Sequence, residues 1–185
     1  MYGSRVQNTV AELHDLGGVF LLSALQQALE DAVGEDITLK YPSQGLYRSA
    51  FVLKDINSDK TDEAFAFYST TADSTVTMHI NVIVKEKNKW KSKGDLSLVG
   101  TGIESVSFAD LDGNGTLEII VGWYIFGTTE KQVGIYTYEG ELLTLRAIEP
   151  YTNFTYADLT GDMINDLIVI YLNSAEKAAT AKLLS

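Results

Sequence analysis

The spacing of apolar residues changes from a helical to a strand pattern along the chain. Between residues 19 and 33, apolar positions recur three or four residues apart with polar residues between them, which predicts an amphipathic helix. Gly34 is a suitable end for this helix. Residues 1–9 are polar and without a pattern, so we expect them to be frayed. The apolar face predicts a helix packed over the start of a sheet, and a partner-binding helix is the alternative.

Short apolar or alternating segments predict strands through the rest of the chain. A turn with Pro42 and Gly45 comes first, at 41–48. The predicted strands are 49–54, 64–68, 75–85, 96–99, 103–109, 119–126, 133–138, 142–148, 154–157, 167–172 and 178–184. Segment 119–126 is apolar throughout, as expected of a strand buried on both faces. Everything after the helix is therefore predicted to be β-structure.

An acidic loop occurs three times between predicted strands, beginning at Asp55, Asp110 and Asp158. The steps between these residues, 55 and 48, match a four-stranded propeller blade of ~40–50 residues. We therefore predict a mainly β fold, a partial β-propeller-like array of four-stranded antiparallel blades with an N-terminal amphipathic helix. Residues 1–40 would form a tail and a helix packed on the sheet. Residues 41–185 would form the repeat domain, in units of about 49–103, 104–152 and 153–185, the last incomplete.

Each loop places oxygen-bearing side chains at its first, third, fifth and ninth positions, and the seventh can offer a backbone carbonyl. Calcium prefers six to eight oxygen ligands, which alternate residues of a tight loop can supply. The predicted ligands are Asp55, Asn57, Asp59, Thr61 and Glu63; Asp110, Asp112, Asn114, Thr116 and Glu118; and Asp158, Thr160, Asp162, Ile164 and Asp166. An EF-hand is excluded, because the twelfth positions are Ala66, Val121 and Val169 and the flanks are strands. A metal-free turn rich in Asp and Asn is the alternative.

The sequence Asp-Leu-Asp-Gly-Asn-Gly-Thr-Leu-Glu at 110–118 resembles the calcium-binding loop of FG-GAP and VCBS repeats, Asp-x-Asp-x-Asp-Gly-x-x-Asp. These repeats occur in integrin-like propellers and many bacterial surface proteins, and the resemblance runs from about residue 49 to the end. It implies side-chain ligands at Asp110, Asp112, Asn114 and Glu118 with the Thr116 carbonyl. The other copies depart from the pattern at Lys60, Thr160 and Met163. The resemblance also implies a bacterial lipoprotein or secreted protein, extracellular or in the cell envelope, with any leader outside this sequence.

Composition and motifs argue against several function classes. The net charge of -11, with 14 basic and 25 acidic residues, argues against nucleic-acid binding. Without cysteine there is no thiolate zinc site and no cysteine nucleophile. No apolar run reaches the ~18 residues of a membrane span. His14 and His79 stand apart from any catalytic motif, and no phosphate-binding or dinucleotide-binding loop is present. We therefore predict that the chain is not an enzyme.

The sequence thus predicts a non-catalytic, calcium-stabilised β-repeat module for binding or scaffolding at the bacterial cell surface, with a protein or carbohydrate as ligand. One alternative is an accessory carbohydrate- or substrate-binding domain of an extracellular polysaccharide-acting enzyme, and another is a regulatory calcium sensor. The aromatic residues considered for a sugar- or peptide-binding face are Trp90, Trp123, Tyr124, Tyr136, Tyr138 and Tyr151. We expect most of them to serve in packing, because aromatic residues favour strands with or without a ligand.

Overall fold

The computed structural model describes residues 4–125, 130–173 and 177–184, and for residues 4–17 and 99 it describes the backbone alone. Within this part, one helix is followed by twelve strands in three antiparallel sheets. The elements are α1 (Ser4–Val33), β1 (Thr38–Leu39), β2 (Phe51–Lys54), β3 (Glu63–Ala72), β4 (Thr75–Glu86), β5 (Lys89–Val99), β6 (Gly102–Ala109), β7 (Glu118–Tyr124), β8 (Lys131–Glu139), β9 (Leu142–Tyr151), β10 (Asn153–Ala157), β11 (Asp166–Asn173) and β12 (Ala178–Leu184).

Helix α1 is longer than predicted. It begins at Ser4 instead of residue 19, so the expectation of a frayed terminus is wrong for residues 4–9, while residues 1–3 lie outside the described part. Val6, Val10 and Leu13 already follow a three- and four-residue spacing that continues the helical pattern. The predicted end is confirmed, because Gly34 has a φ of 86° and its N–H donates to the Glu30 carbonyl at 2.8 Å. No described helix is long and apolar enough to cross a membrane.

The first sheet, sheet A, contains β1 to β5, and the prediction missed its shortest strand. Strands β2, β3, β4 and β5 follow one another as an antiparallel meander, and β1 pairs with the far half of β3 through Thr38 opposite Ser69. A two-residue strand has no detectable period, so β1 could not be found from the pattern. The sheet consequently begins before residue 41, the predicted start of the repeat domain.

The second and third sheets follow the predicted order of strands. Sheet B is the four-stranded meander β6-β7-β8-β9, and sheet C contains β10, β11 and β12. The predicted absence of a fourth strand in the third unit agrees with this within the described residues, whereas Phe126, the predicted end of β7, lies outside them. The three sheets are separate and none closes on itself, so the coarse prediction of a mainly β chain is confirmed.

The helix and the sheets pack as four successive layers. Leu25 and Leu29 of α1 lie against Ala64 and Ala66 of sheet A. Three clusters of buried residues fill the spaces between neighbouring layers. The representative contacts are Phe65, Phe67 and Ile80 against Val106, Ile119 and Trp123 between sheets A and B, and Ile120 and Val133 against Leu167 and Val169 between sheets B and C. Sheets A and B are thus each covered on both faces.

Side chains alternate between layers along the strand that follows each acidic loop. In β3, Ala64 and Ala66 face the helix, while Phe65 and Phe67 face sheet B. In β7, Ile119 faces sheet A and Ile120 faces sheet C. Strands β3 and β7 therefore direct their side chains alike, the tenth residue counted from the start of the loop toward the preceding layer and the eleventh toward the next layer. The acidic loops that precede these strands consequently lie at corresponding positions of their two sheets.

Candidate metal centre

The three acidic loops lie side by side at one edge of the layers. They connect β2 to β3, β6 to β7 and β10 to β11, which are corresponding strand pairs of the three sheets. Backbone hydrogen bonds join neighbouring loops: the Leu117 N–H donates to the Ile56 carbonyl at 2.7 Å, and the Asn165 N–H to the Asp110 carbonyl at 3.2 Å. Leu117 and Asn165 are both eighth residues of their loops. The three loops therefore lie at equivalent positions in neighbouring sheets.

The first carboxylate of every loop organises the loop backbone. Each accepts two N–H groups, one from the fourth or fifth residue and one from the sixth. In the first loop, the N–H groups of Asp59 and Lys60 donate to Asp55 at 3.2 and 2.9 Å. The N–H groups of Gly113 and Gly115 donate to Asp110 at 2.7 and 2.9 Å, and those of Gly161 and Met163 donate to Asp158 at 2.6 and 2.9 Å. A carboxylate has about four acceptor positions, so these bonds leave capacity for a further cation contact.

The ninth residue closes each loop from the interior. Its carboxylate accepts the N–H of the second loop residue: Ile56 to Glu63 at 3.2 Å, Leu111 to Glu118 at 2.7 Å and Leu159 to Asp166 at 3.0 Å. All three acids are buried at the start of a core strand. A buried carboxylate needs such partners, because removing its charge from water is unfavourable.

The fourth and sixth residues of all three loops have positive φ. The angles are 61° and 70° at Ser58 and Lys60, 73° and 83° at Gly113 and Gly115, and 80° and 70° at Gly161 and Met163. Lys60 and Met163 therefore adopt the left-handed backbone that favours glycine. These departures from the repeat motif change the side chain without changing the loop conformation.

The fifth residue of each loop accepts the N–H of the seventh. The bonds run from Thr61 to Asp59 at 2.7 Å, from Thr116 to Asn114 at 2.7 Å and from Ile164 to Asp162 at 2.9 Å. The third residue accepts the N–H of the fifth in two loops, from Asp59 to Asn57 at 3.0 Å and from Asn114 to Asp112 at 3.2 Å. Most of the predicted ligands thus take part in one shared scheme of loop bonds.

The carboxylates converge in the second loop. Asp110, Asp112 and Glu118 each place one oxygen within 4.8 Å of the others, a spacing that a single cation could bridge. Among the described residues, the acids of the first and third loops form no comparable cluster. In the first loop the Asn57 amide donates to Glu63 at 3.4 Å, and in the third Thr160 replaces an acid. The three loops are alike in backbone and unlike in carboxylate geometry.

Arg146 of β9 contacts the same cluster, and the sequence pattern did not indicate it. Its Nη1 lies 2.6 Å from Asp112 Oδ2 and 3.3 Å from Glu118 Oε1. The register of β8 and β9 shifts between Ile135 and Tyr136, so that Arg146 is the extra residue of an irregularity in the ladder. Bulges of this kind redirect a side chain. Because no sequence signal marks the bulge, a single arginine in a predicted strand could not be assigned to the loop.

The electrostatics of the second loop are dominated by burial. Glu118 is 1% exposed, and this burial raises the pKa of its carboxyl; Asp112 raises it further, while the Leu111 N–H and Arg146 lower it. Burial also raises the pKa of Glu63 in the first loop. Three carboxylates and one guanidinium leave the second-loop cluster with a formal charge of -2 when all are ionised. A divalent cation matches that charge.

The aromatic residues considered for a binding face are largely part of the core. Trp123 and Tyr136 are buried, and the indole N–H donates to the Tyr136 hydroxyl at 2.9 Å. Tyr151 is also buried, and Trp90 and Tyr138 pack at the edges of core clusters. Most of this set therefore serves in packing.

The two histidines lie on different elements, His14 on α1 and His79 on β4. His79 lies on β4 between Thr70 and Asp95, with contacts of 3.0 Å to each, and stacks on the Tyr68 ring at 4.5 Å. Its bonds run across three neighbouring strands of sheet A, as in a cross-strand polar ladder. The side chain of His14 lies outside the described part.

A comparison of the chain with protein-family models finds no match, and a comparison with curated proteins finds none either. The resemblance to FG-GAP and VCBS repeats rests on the loop residues alone and stays a prediction.

Proposed function

We propose that the chain is a non-catalytic, calcium-stabilised β-repeat module that works in binding or as a scaffold, with the second acidic loop as its principal cation site. The observation that carries the proposal is the convergence of Asp110, Asp112 and Glu118 within 4.8 Å at the edge of the layers. The bonds within this loop support it, because Asp110 accepts two backbone N–H groups and keeps acceptor capacity for a cation.

A cation at the second loop would stabilise the fold through charge and connection. It would balance the formal charge of -2 beside the buried Glu118. It would also tie the end of β6 to the start of β7, since Asp110 and Glu118 stand on either side of the loop. The Asn165 N–H donates to the Asp110 carbonyl, so ordering the second loop also supports the third. Calcium fits this mixture of carboxylate, amide and carbonyl oxygens better than a metal that prefers nitrogen or sulfur.

The proposed setting is extracellular or in the bacterial cell envelope, and it is carried by the loop resemblance. Calcium sites of extracellular modules have Kd values of about 10⁻⁴ to 10⁻³ M. A loop in which Arg146 already neutralises part of the charge fits the weak end of that range. The remaining charge of the chain is strongly acidic, which a calcium-rich medium would screen.

Thermal unfolding tests the proposal. The full chain is melted in excess EDTA and again with calcium at 0.1 to 10 mM, and calcium binding is followed by titration calorimetry. At 10 mM calcium, about ten times a Kd of about 10⁻³ M, a ligand that binds only the folded state adds ~1.4 kcal/mol to the free energy of unfolding. A midpoint that is the same in EDTA and in calcium would reject the proposal.

A charge-removing pair of variants locates the site. Asp112→Asn keeps an oxygen that can accept the Asn114 N–H but removes a carboxylate from the cluster, so we expect it to lose most of the calcium-dependent rise in midpoint. Asp162→Asn makes the same change in the third loop, where the acids do not converge, and should keep that rise. The reverse result would move the site to the third loop.

A further inference from the structure

A polar cleft lies between the edge strands of sheets B and C, and its lining residues on β6 and β10 come shortly before the second and third acidic loops. It has a volume of about 460 Å³, within the ~300–1,000 Å³ typical of small-molecule sites. Strands β6 and β10 form its sides, and the start of β8 and the end of β9 contribute to it. Nothing in the acidic loops contributes a lining residue. The cleft is thus a feature separate from the candidate metal centre.

Glu104 of β6 lies at this cleft with its carboxylate held by three partners. Lys131 Nζ donates to Oε1 at 2.7 Å and Gln44 Nε2 to the same oxygen at 3.4 Å, while the Tyr151 hydroxyl donates to Oε2. Lys131 also donates to the Thr152 carbonyl at 3.2 Å and lies 4.6 Å from the centre of the Tyr151 ring. These contacts join four separate segments of the chain, so the polar groups at the cleft are fixed before any ligand arrives.

Gly122 of β7 makes this arrangement possible. A Cβ at this position would collide with the Tyr151 hydroxyl, and would also lie 3.1 Å from Ser105 Oγ. Tyr151 needs this space because its hydroxyl must cross above β7 to reach Glu104. Burial and the Glu104 carboxylate both raise the pKa of Tyr151, so the hydroxyl stays protonated and keeps donating at neutral pH.

The chemistry of the lining points to a neutral ligand with many hydroxyl groups. The cleft has one acid and one base, Glu104 and Lys131, and these are paired with each other. Residues with hydroxyl or amide side chains make up most of the other polar lining, and Tyr156, 38% exposed, adds an aromatic ring. The polar side chains in question are Gln44, Ser105, Ser107, Thr152, Asn153 and Thr155.

We propose that this cleft between β6 and β10 binds a neutral carbohydrate, with Tyr156 as the stacking surface and the hydroxyl and amide groups as hydrogen-bond partners. The assignment rests on the proposed binding function, to which it gives a ligand class. An ionic ligand would leave its charge without a free partner, since Glu104 and Lys131 already neutralise each other. Among the described residues β10 pairs only with β11, so an extended peptide is the competing occupant of the same edge.

Binding to an array of immobilised neutral and charged glycans tests the proposal, with the full chain in calcium. Tyr156→Ala removes the exposed ring and should weaken binding to the best neutral glycan at least tenfold. Phe20→Ala, which removes an exposed aromatic ring on α1 outside the cleft, is the control and should change the affinity less than twofold. Asn153→Ala serves as a second cleft variant in case Tyr156→Ala unfolds, and circular dichroism verifies the fold of each.

The possible outcomes separate this proposal from the calcium proposal. Neutral glycan binding that both cleft variants weaken supports it. The proposal is overturned if the chain binds only charged glycans, if it binds no glycan, or if the cleft variants leave glycan binding unchanged. It is also overturned if no glycan binds and a peptide selected from a library binds the chain but not the cleft variants. The calcium-dependent midpoint of unfolding is measured independently of glycan binding, so the metal centre can be confirmed or rejected whatever the glycan result is.

Discussion

The guanidinium of Arg146 lies 2.6 Å from the Asp112 carboxylate and 3.3 Å from Glu118, so it already neutralises part of the negative charge of the second acidic loop. An arginine in this place has two opposite consequences. It supports the loop when no metal is bound, and it opposes a divalent cation through like charge. The calcium affinity of this loop is therefore set by Arg146 as well as by the acids.

Arg146→Gln should make the protein more dependent on calcium. Without the guanidinium, we expect the free energy of unfolding in EDTA to fall by roughly 1 kcal/mol, a modest figure because the side chain is 43% exposed. Calcium affinity should rise about tenfold or more, because the cluster gains one negative charge. Titration calorimetry and urea unfolding measure the two effects.

Lys91→Gln provides the control for Arg146→Gln, since Lys91 is an exposed base paired with Glu86 away from the loops. Lys91→Gln should leave unchanged both the calcium affinity and the amount by which calcium raises the free energy of unfolding. If Arg146→Gln lowered calcium affinity instead, the arginine would be positioning the acids for the ion, and its role as competitor would be wrong.

Met163→Gly should stabilise the protein although it removes a large side chain. Met163 is 92% exposed, so it buries almost nothing, and its φ of 70° is unfavourable for a residue with a Cβ. Relief of that strain is worth ~1–2 kcal/mol, and the extra freedom of glycine in the unfolded chain offsets ~0.5–1 kcal/mol of it. We expect urea unfolding to show a net gain of about 0.5–1 kcal/mol.

Gly115→Met is the reciprocal change, since Gly115 holds the same loop position with a φ of 83° and open space around it. It should lower the free energy of unfolding by a similar amount. Equal effects of opposite sign would establish that the two loops share one backbone conformation in solution, and a loss of stability in Met163→Gly would contradict it.

Asn81→Val should also stabilise the protein. Asn81 lies at the centre of β4 and is fully buried, and neither its amide nitrogen nor its oxygen has a hydrogen-bond partner among the described residues. An unsatisfied buried polar group costs about 1–3 kcal/mol, and a β-branched residue suits the strand. Thr75→Val, at an exposed position of the same strand, controls for strand propensity. A loss of more than about 1 kcal/mol in Asn81→Val would instead indicate that ordered water satisfies the amide.

The parts of the structure that the sequence predicts are those governed by local rules. The acidic loops, the end of α1 at Gly34 and the strands on either side of each loop follow from spacing and residue type. Apolar segment 119–126 correctly indicated a strand buried on both faces, as β7 is for its described residues. A period in the sequence is sufficient for these features because their partners are close along the chain.

The parts that the sequence does not predict depend on contacts between distant segments. Arg146 reaches the second loop because of a bulge, and Glu104 becomes a buried ion-pair partner because four segments meet around it. The convergence of acids in one loop of three also depends on side-chain directions that the shared motif does not contain. Residue type alone places these groups on strands without saying which face or neighbour they meet.

Phe67→Ala should test whether the contact between sheets A and B is central to stability. Phe67 is fully buried in the cluster between these sheets, together with Ile80 and Trp123. Removing a buried phenylalanine leaves a cavity and typically lowers the free energy of unfolding by ~3–5 kcal/mol. Phe20→Ala, 72% exposed on α1, should change it by less than about 0.5 kcal/mol. Urea unfolding measures both. Similar small effects in the two variants would mean that the sheets do not pack face to face in solution, and the alignment of the three acidic loops would lose its physical basis.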